Sequence, residues 1–216
     1  GTFGGGLCVK TGESNENSFR TFFGSDDWIR FVRYVFVDKQ GDMWVATTNG
    51  VFRFNPDAFL RNNKAYRHYT FTSESENCLS NPEVRYIFQD SKQRIWMATS
   101  GGGVNMFVGE TKDGNGIFKV YNNKQGMAND NTMAIQEDKN CYLWIITENG
   151  LHKLNPETNI FQYYRFSDNF SANLFSETAC LTCRDGKMLW GSLNGFYAFQ
   201  PTKLNEQKKI SNRVLL

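Results

Sequence analysis

Residues 32–56 read VRYVFVDKQGDMWVATTNGVFRFNP, and the same figure returns as VRYIFQDSKQRIWMATSGGGVNMF (84–107), TMAIQEDKNCYLWIITENGLHKLNP (132–156) and ACLTCRDGKMLWGSLNGFYAFQP (179–201). The four windows align on Trp44, Trp96, Trp144 and Trp190, giving steps of 52, 48 and 46 residues. Such a period suits four strands and their turns. Apolar residues within each window alternate or run continuously, and Asp, Asn and Gly clusters bound them, which is strand punctuation and not a helical stripe. The expected strands a are 32–38, 84–90, 132–138 and 179–184. Strands b are 43–47, 95–99, 143–147 and 188–192, and strands c are 51–54, 104–107, 151–154 and 196–199. The aromatic runs 66–71, 118–121 and 161–166 supply strand d.

The predicted fold is all-β, a partial β-propeller with three full four-stranded blades and two partial ones. The blades are 31–78, 79–127 and 128–174, the partial blades are 1–30 and 175–204, and 205–216 is a tail or the start of a further domain. GTFGGGLCV at 1–9 aligns with ATSGGGVNM at 98–106, so the chain is expected to start inside a strand b and to be a piece of a longer protein. Asp38, Asp90 and Asp138 stand six residues before their tryptophans, where a carboxylate can cap the a–b turn by accepting backbone N–H groups. The fourth copy moves this residue to Asp185 and is the most divergent. Gly50, Gly102 or Gly103, Gly150 and Gly195 mark the b–c turn, where positive φ favours glycine.

Composition agrees. The 216 residues are 40% apolar and 21% charged, enough for a sizeable core and incompatible with disorder. Phe and Gly each number 19 against 4 Pro, a bias toward strands and tight turns. A net charge of +2 gives no reason to expect nucleic acid or an anionic membrane as partner. No apolar run is long enough to span a bilayer, and the N-terminus does not read as a signal peptide. Five cysteines rule out a fully paired disulfide framework.

These windows resemble the two-component regulator propeller repeat, whose pattern survives at every landmark in VRYVFVDKQGDMWVATTNGV (32–51). The resemblance implies a periplasmic sensor region of a hybrid two-component receptor, with a histidine kinase beyond the membrane in the parent chain. It implies a ligand drawn from carbohydrate or glycan fragments, and neighbouring propeller and β-sandwich domains of the same chain as partners, with a homodimer a further expectation. A membrane would enter only through the parent chain. The ISNRVLL tail (210–216) resembles the run into that sandwich.

Catalytic ingredients are sparse, and neither a cofactor nor a metal is expected. The nucleophile-elbow, zinc-protease and phosphate-loop motifs are absent. His152 aligns with Phe52, Asn105 and Tyr197 on strand c, which points to packing, and His68 lies in an aromatic strand d. Cys180 and Cys183 fall three apart on strand a, so their side chains face opposite ways and do not share a metal or a disulfide. DGNG at 113–116 is a c–d hairpin turn. The alternatives are a glycan-processing propeller enzyme, using carboxylates among Asp27, Glu83, Asp130 and Glu148, or a purely structural assembly module.

Connectivity collects the d–a and b–c loops on one rim, and long loops on a rigid scaffold carry recognition. The candidate ligand-binding residues there are Asp27, Trp28, Arg30, Asn49, Asn81, Asn129, Asp130, Glu148, Asn149, Asn173, Phe175 and Asn194. Trp28 lies outside the repeat position and is flanked by Asp26, Asp27 and Arg30, a set suited to stacking on a sugar while bonding its hydroxyls. Asn81, Asn129 and Asn173 each precede a strand a, where an asparagine also serves as a turn cap.

Overall fold

The computed structural model describes residues 1–10, 19–23, 30–75, 77–165, 175–193 and 195–204. Its strands succeed one another as antiparallel meanders. The first blade pairs β1 (Leu7–Lys10) with β2 (Phe19–Phe22). The second holds β3 (Val32–Val37), β4 (Met43–Thr47), β5 (Gly50–Phe54) and β6 (Arg67–Tyr69). The third holds β7 (Val84–Gln89), β8 (Ile95–Thr99), β9 (Val104–Glu110) and β10 (Gly116–Tyr121). The fourth holds β11 (Thr132–Glu137), β12 (Leu143–Thr147), β13 (Gly150–Asn155) and β14 (Ile160–Arg165). The fifth holds β15 (Phe175–Thr182), β16 (Met188–Ser192) and β17 (Gly195–Phe199). Successive first strands pack on one another, β3 on β7, β7 on β11 and β11 on β15. The blades therefore radiate from a shared axis, and the molecule is a nearly all-β propeller.

The repeat spacing D-x5-W has a physical cause in the core. Asp38, Asp90 and Asp138 are buried, and one carboxylate oxygen of each accepts turn N–H groups, from Gln40 and Asp42, from Arg94, and from Asn140 and Tyr142. The other oxygen accepts the indole Nε1–H of Trp44 at 2.8 Å, Trp96 at 2.9 Å and Trp144 at 2.7 Å. Each aspartate thus satisfies the one polar atom of a fully buried tryptophan while closing the a–b turn. A cation covers each ring as well: Arg53 lies 5.1 Å over Trp44, Arg94 5.6 Å over Trp96 and Lys153 5.4 Å over Trp144. The rings fill seams between blades, with Trp44 5.2 Å from Phe107 and Trp144 5.4 Å from Phe199, measured between centroids. In the fifth blade the aspartate has slipped by one residue. Asp185 accepts Lys187 N–H at 2.9 Å, and Trp190 Nε1 is buried with no partner among the described residues.

Several expectations need correction. Gly150 does not take positive φ, whereas Gly50, Gly103 and Gly195 do; glycine is kept at 150 by space, since a Cβ there would lie 2.7 Å from the Tyr164 carbonyl oxygen. β6 is shorter than 66–71. Tyr66 leaves the ladder and packs its ring on Phe23, Phe52 and Phe59. β15 begins at Phe175 and ends at Thr182, so Cys183 stands in the turn, where its N–H donates to Lys187 O at 2.8 Å. All five cysteines are unbridged, and burial pushes the Cys180 thiol up while its sulfur accepts from Gln136 Nε2 at 3.1 Å.

The short helix α1 (Pro56–Arg61) was not anticipated. Its signal was nonetheless present in N-P-D at 55–57. Asn55 Oδ1 caps Ala58 N–H at 3.1 Å, Pro56 opens the first turn and Asp57 suits the helix dipole. The apolar strand c before it masked the signal. α2 (Pro201–Leu204) is a single turn.

Candidate ligand site at the blade rim

The rim is built by repeated stitching. Gly50 N–H donates to Pro82 O at 2.5 Å, and Gly103 N–H donates to Asp130 O at 2.8 Å, tying each b–c turn to the loop that enters the next blade. Both glycines have positive φ, +91° and +78°, and a Cβ would come within 2.1 Å of Tyr69 O or 2.2 Å of Tyr121 O. No side chain fits there. Asn81 and Asn129 close the entering loops as turn caps, accepting N–H from Glu83 at 2.9 Å and Asn131 at 2.8 Å.

A polar residue on strand c anchors each of these loops from below. In the third blade Asn105 Oδ1 accepts Ser80 N–H at 2.9 Å, and in the fourth His152 Nε2 accepts Ala128 N–H at 2.9 Å. Accepting at Nε2 requires a neutral ring, and burial holds the His152 pKa down to about 4. The ordinary value near 6.5 applies to the unfolded chain, which therefore binds the proton first as pH falls. This contribution to stability is complete above pH 6.5 and is lost between there and pH 4, about 3 kcal/mol in all. His152→Asn, which copies Asn105, is expected to flatten that part of the pH profile. Denaturant midpoints of both proteins across the window provide the check.

Irregularities near the starts of the strands a carry the site. Cα pairing slips between Val32 and Tyr34, between Val84 and Tyr86 and between Thr132 and Ala134, leaving Arg33, Arg85 and Met133 on β-bulges. A longer irregularity between Phe175 and Cys180 holds Glu177. Bulges re-aim side chains, and here they turn charged groups toward one another across blades. Arg33 pairs with Glu83 through Nη2 and with Glu177 through Nη1 at 3.1 Å. Arg85 donates to Asn131 Oδ1 at 2.7 Å and to Ser100 Oγ at 2.8 Å, and its Nε lies 3.3 Å from Glu177. Asn131 Nδ2 in turn donates to Glu148. Residues from four blades thus converge at one mouth of the axis. Each of these pairs is partly exposed, so each adds no more than about 1 kcal/mol of stability.

The anticipated residues take up several positions. Glu148 joins the cluster directly. Asn129 and Asp130 lead into Asn131, and burial raises the Asp130 carboxyl pKa. Asn81 positions Glu83. Arg30 holds its guanidinium 5.1 Å over Phe31, and its carbonyl accepts from Gly4 and Gly6. Asn49 and Asn149 lie away from the cluster, accepting from Thr70 Oγ1 at 3.3 Å and, through the Asn149 carbonyl, from Tyr163 at 2.8 Å. Phe175 is only 7% exposed and packs 5.0 Å from Tyr197, because β15 starts earlier than expected and draws the ring into the core. Asp27, Trp28, Asn173 and Asn194 fall outside the described residues. Arg33, Arg85, Ser100, Asn131 and Glu177 were not foreseen. The signal for the arginines was the charged residue interrupting an apolar strand in both VRY copies.

The two-component regulator propeller family model matches residues 29–49 and 78–101. Those segments contain the Asp–Trp pairs of the second and third blades together with Arg33, Glu83 and Arg85. The second and third blades match the two-component regulator propeller repeat. This chain is 24% identical over 174 residues to Histidine kinase P4 of Formosa agariphila, covering 81% of this chain and 12% of that protein. It superposes with a TM-score of 0.73 on the extracellular domain of the hybrid two component system BT4673 from B. thetaiotaomicron, at 19% identity. That overlap takes in 93% of this chain and 28% of the solved one, and it establishes the shared fold. Among the described residues, no helix is long and apolar enough to cross a membrane.

Proposed function

We propose that this propeller is the extracytoplasmic ligand-sensing module of a two-component signalling receptor whose parent chain carries a histidine kinase, and that its ligand is a carbohydrate or glycan fragment. The observation that carries the reading is the convergence of Arg33, Glu83, Arg85, Asn131 and Glu177 from different blades on one mouth of the axis. A molecule seated there touches several blades together, so its binding energy depends on how the blades are set. A ligand that favours one setting shifts the population toward it, and neighbouring propeller or sandwich domains of the same chain, or a second copy, receive the shift. Carboxylates engaged by arginines serve recognition better than proton transfer, which weighs against the glycan-enzyme alternative. The family's histidine-kinase relative supports the signalling context.

Thermal melting of the protein against digests of structurally diverse polysaccharides tests the reading. A ligand at about 100 times its Kd stabilises by about 2.7 kcal/mol, which for this size raises Tm by about 5–10 °C. Arg85→Ala is expected to abolish the shift. Absence of a shift with every digest overturns the reading, and release of new reducing ends during incubation replaces it with the enzyme.

A further inference from the structure

The charge inventory of the mouth restricts what it can hold. Arg33 and Arg85 face Glu83 and Glu177, so two cations are balanced by two anions before a ligand arrives. Glu148, bonded to Asn131, adds negative charge on the same rim. A carboxylate or sulfate entering there must displace a glutamate from its arginine and then sit beside the displaced charge. Coulomb repulsion opposes that at every step.

The groups lining the mouth offer hydrogen bonds of both kinds. The Arg33 and Arg85 guanidiniums are donors, and the partly exposed Glu83 and Glu177 carboxylates are acceptors. A hydroxyl can accept from the former and donate to the latter, whereas an anionic oxygen only accepts. Beside them stands Phe3, 65% exposed, its ring 4.9 Å from Phe31 and 4.9 Å beneath the Arg33 guanidinium. An open aromatic surface next to a polar network matches a molecule with one apolar face and a rim of hydroxyls.

We propose that the mouth is a seat for a neutral, hydroxyl-rich oligosaccharide that packs against Phe3 and bonds Arg33, Arg85 and Glu177, and that acidic oligosaccharides are rejected. This rests on the sensing reading above. It adds the ligand's charge class and a subsite, Phe3, that the loop residues do not supply.

Calorimetric titration tests it, with gluco-, xylo- and manno-oligosaccharides as neutral probes and oligogalacturonate and chondroitin oligosaccharides as acidic ones. A neutral probe is expected to bind with little change between about 50 and about 500 mM salt, because no net charge is neutralised. Phe3→Ala is expected to weaken it by about tenfold, the loss of one stacking contact, with Tm unchanged. Glu83→Gln, which frees Arg33, is expected to admit the acidic probes. Tight, salt-sensitive binding of oligogalacturonate or chondroitin by the unaltered protein overturns the neutral class and leaves the sensing reading in place. Neutral binding indifferent to Phe3→Ala overturns the subsite. Failure of every probe, neutral and acidic, overturns both.

Discussion

Trp96→Ala is expected to lower the unfolding free energy by about 3–5 kcal/mol, and to leave most of the protein aggregated on expression. Trp96 is wholly buried on β8, its ring 5.4 Å from that of Tyr121 and covered by Arg94. Truncation removes the transfer energy of the ring and opens a cavity between stiff sheets that cannot collapse into it. It also leaves the buried Asp90 Oδ2 without its indole donor. Trp96→Phe separates the two causes. It retains most of the ring and loses the Nε1–H, so its cost is expected near 1–2 kcal/mol, the range for a buried acceptor left unsatisfied. Trp190→Phe is expected to cost less than Trp96→Phe, since Trp190 Nε1 has no partner among the described residues to lose. Urea unfolding of the three variants checks the ranking. Equal losses for Trp96→Phe and Trp190→Phe would show that the aspartate bond contributes nothing.

The second large effect is expected at the other end of the same bond. Asp90→Asn keeps the shape of the side chain and places an amide where a carboxylate oxygen now accepts both the Trp96 indole and Arg94 Nε at 2.5 Å. One orientation of the amide sets N–H against N–H, and the other abandons the Arg94 backbone N–H. Hydrogen bonds to charged groups contribute about 1.5–3 kcal/mol each, so a loss of about 3 kcal/mol is expected. Asp138→Asn should lose a little less, because its three bonds go to the Asn140 and Tyr142 backbone N–H groups and the Trp144 indole, where Asp90 also accepts from the Arg94 guanidinium. Asp185→Asn is the internal control: it accepts Lys187 N–H in an exposed turn, which an asparagine does equally well, and the change is expected within about 0.5 kcal/mol. Chemical denaturation of the three proteins provides the measurement. A loss at Asp185→Asn as large as at Asp90→Asn would mean that turn closure alone, and not the indole, explains the aspartates.

Legibility in the sequence followed locality. Strand b was readable to the residue in all four copies, because its alternation and its bounding turns are set by neighbours in the chain. The aspartates were readable as turn caps for the same reason, while their second bond, to a tryptophan six residues on, needs the a–b hairpin to be closed first. His152 and Asn105 read as packing positions, and both are buried. That each holds down the backbone of a loop more than twenty residues earlier is visible only once strand c lies beneath that loop. The site was read more poorly than the fold. Long loops are where recognition usually lives, whereas the convergent side chains sit mostly at the starts of strands.

The sequence by itself determined the blade, since a period near fifty residues with D-x5-W inside it specifies one antiparallel unit through contacts made within that unit. It determined equally that the fourth copy, the fifth blade, is atypical, from the single-residue slip at Asp185. Only the tertiary structure decided which residues meet at the axis. Arg33 and Glu177 are 144 positions apart, and their meeting depends on the angle between blades, which is fixed by tryptophan rings packed in the seams. It depends also on bulges that redirect one residue of each strand. Neither quantity is encoded in the chain's periodicity; both are consequences of how whole sheets fit together.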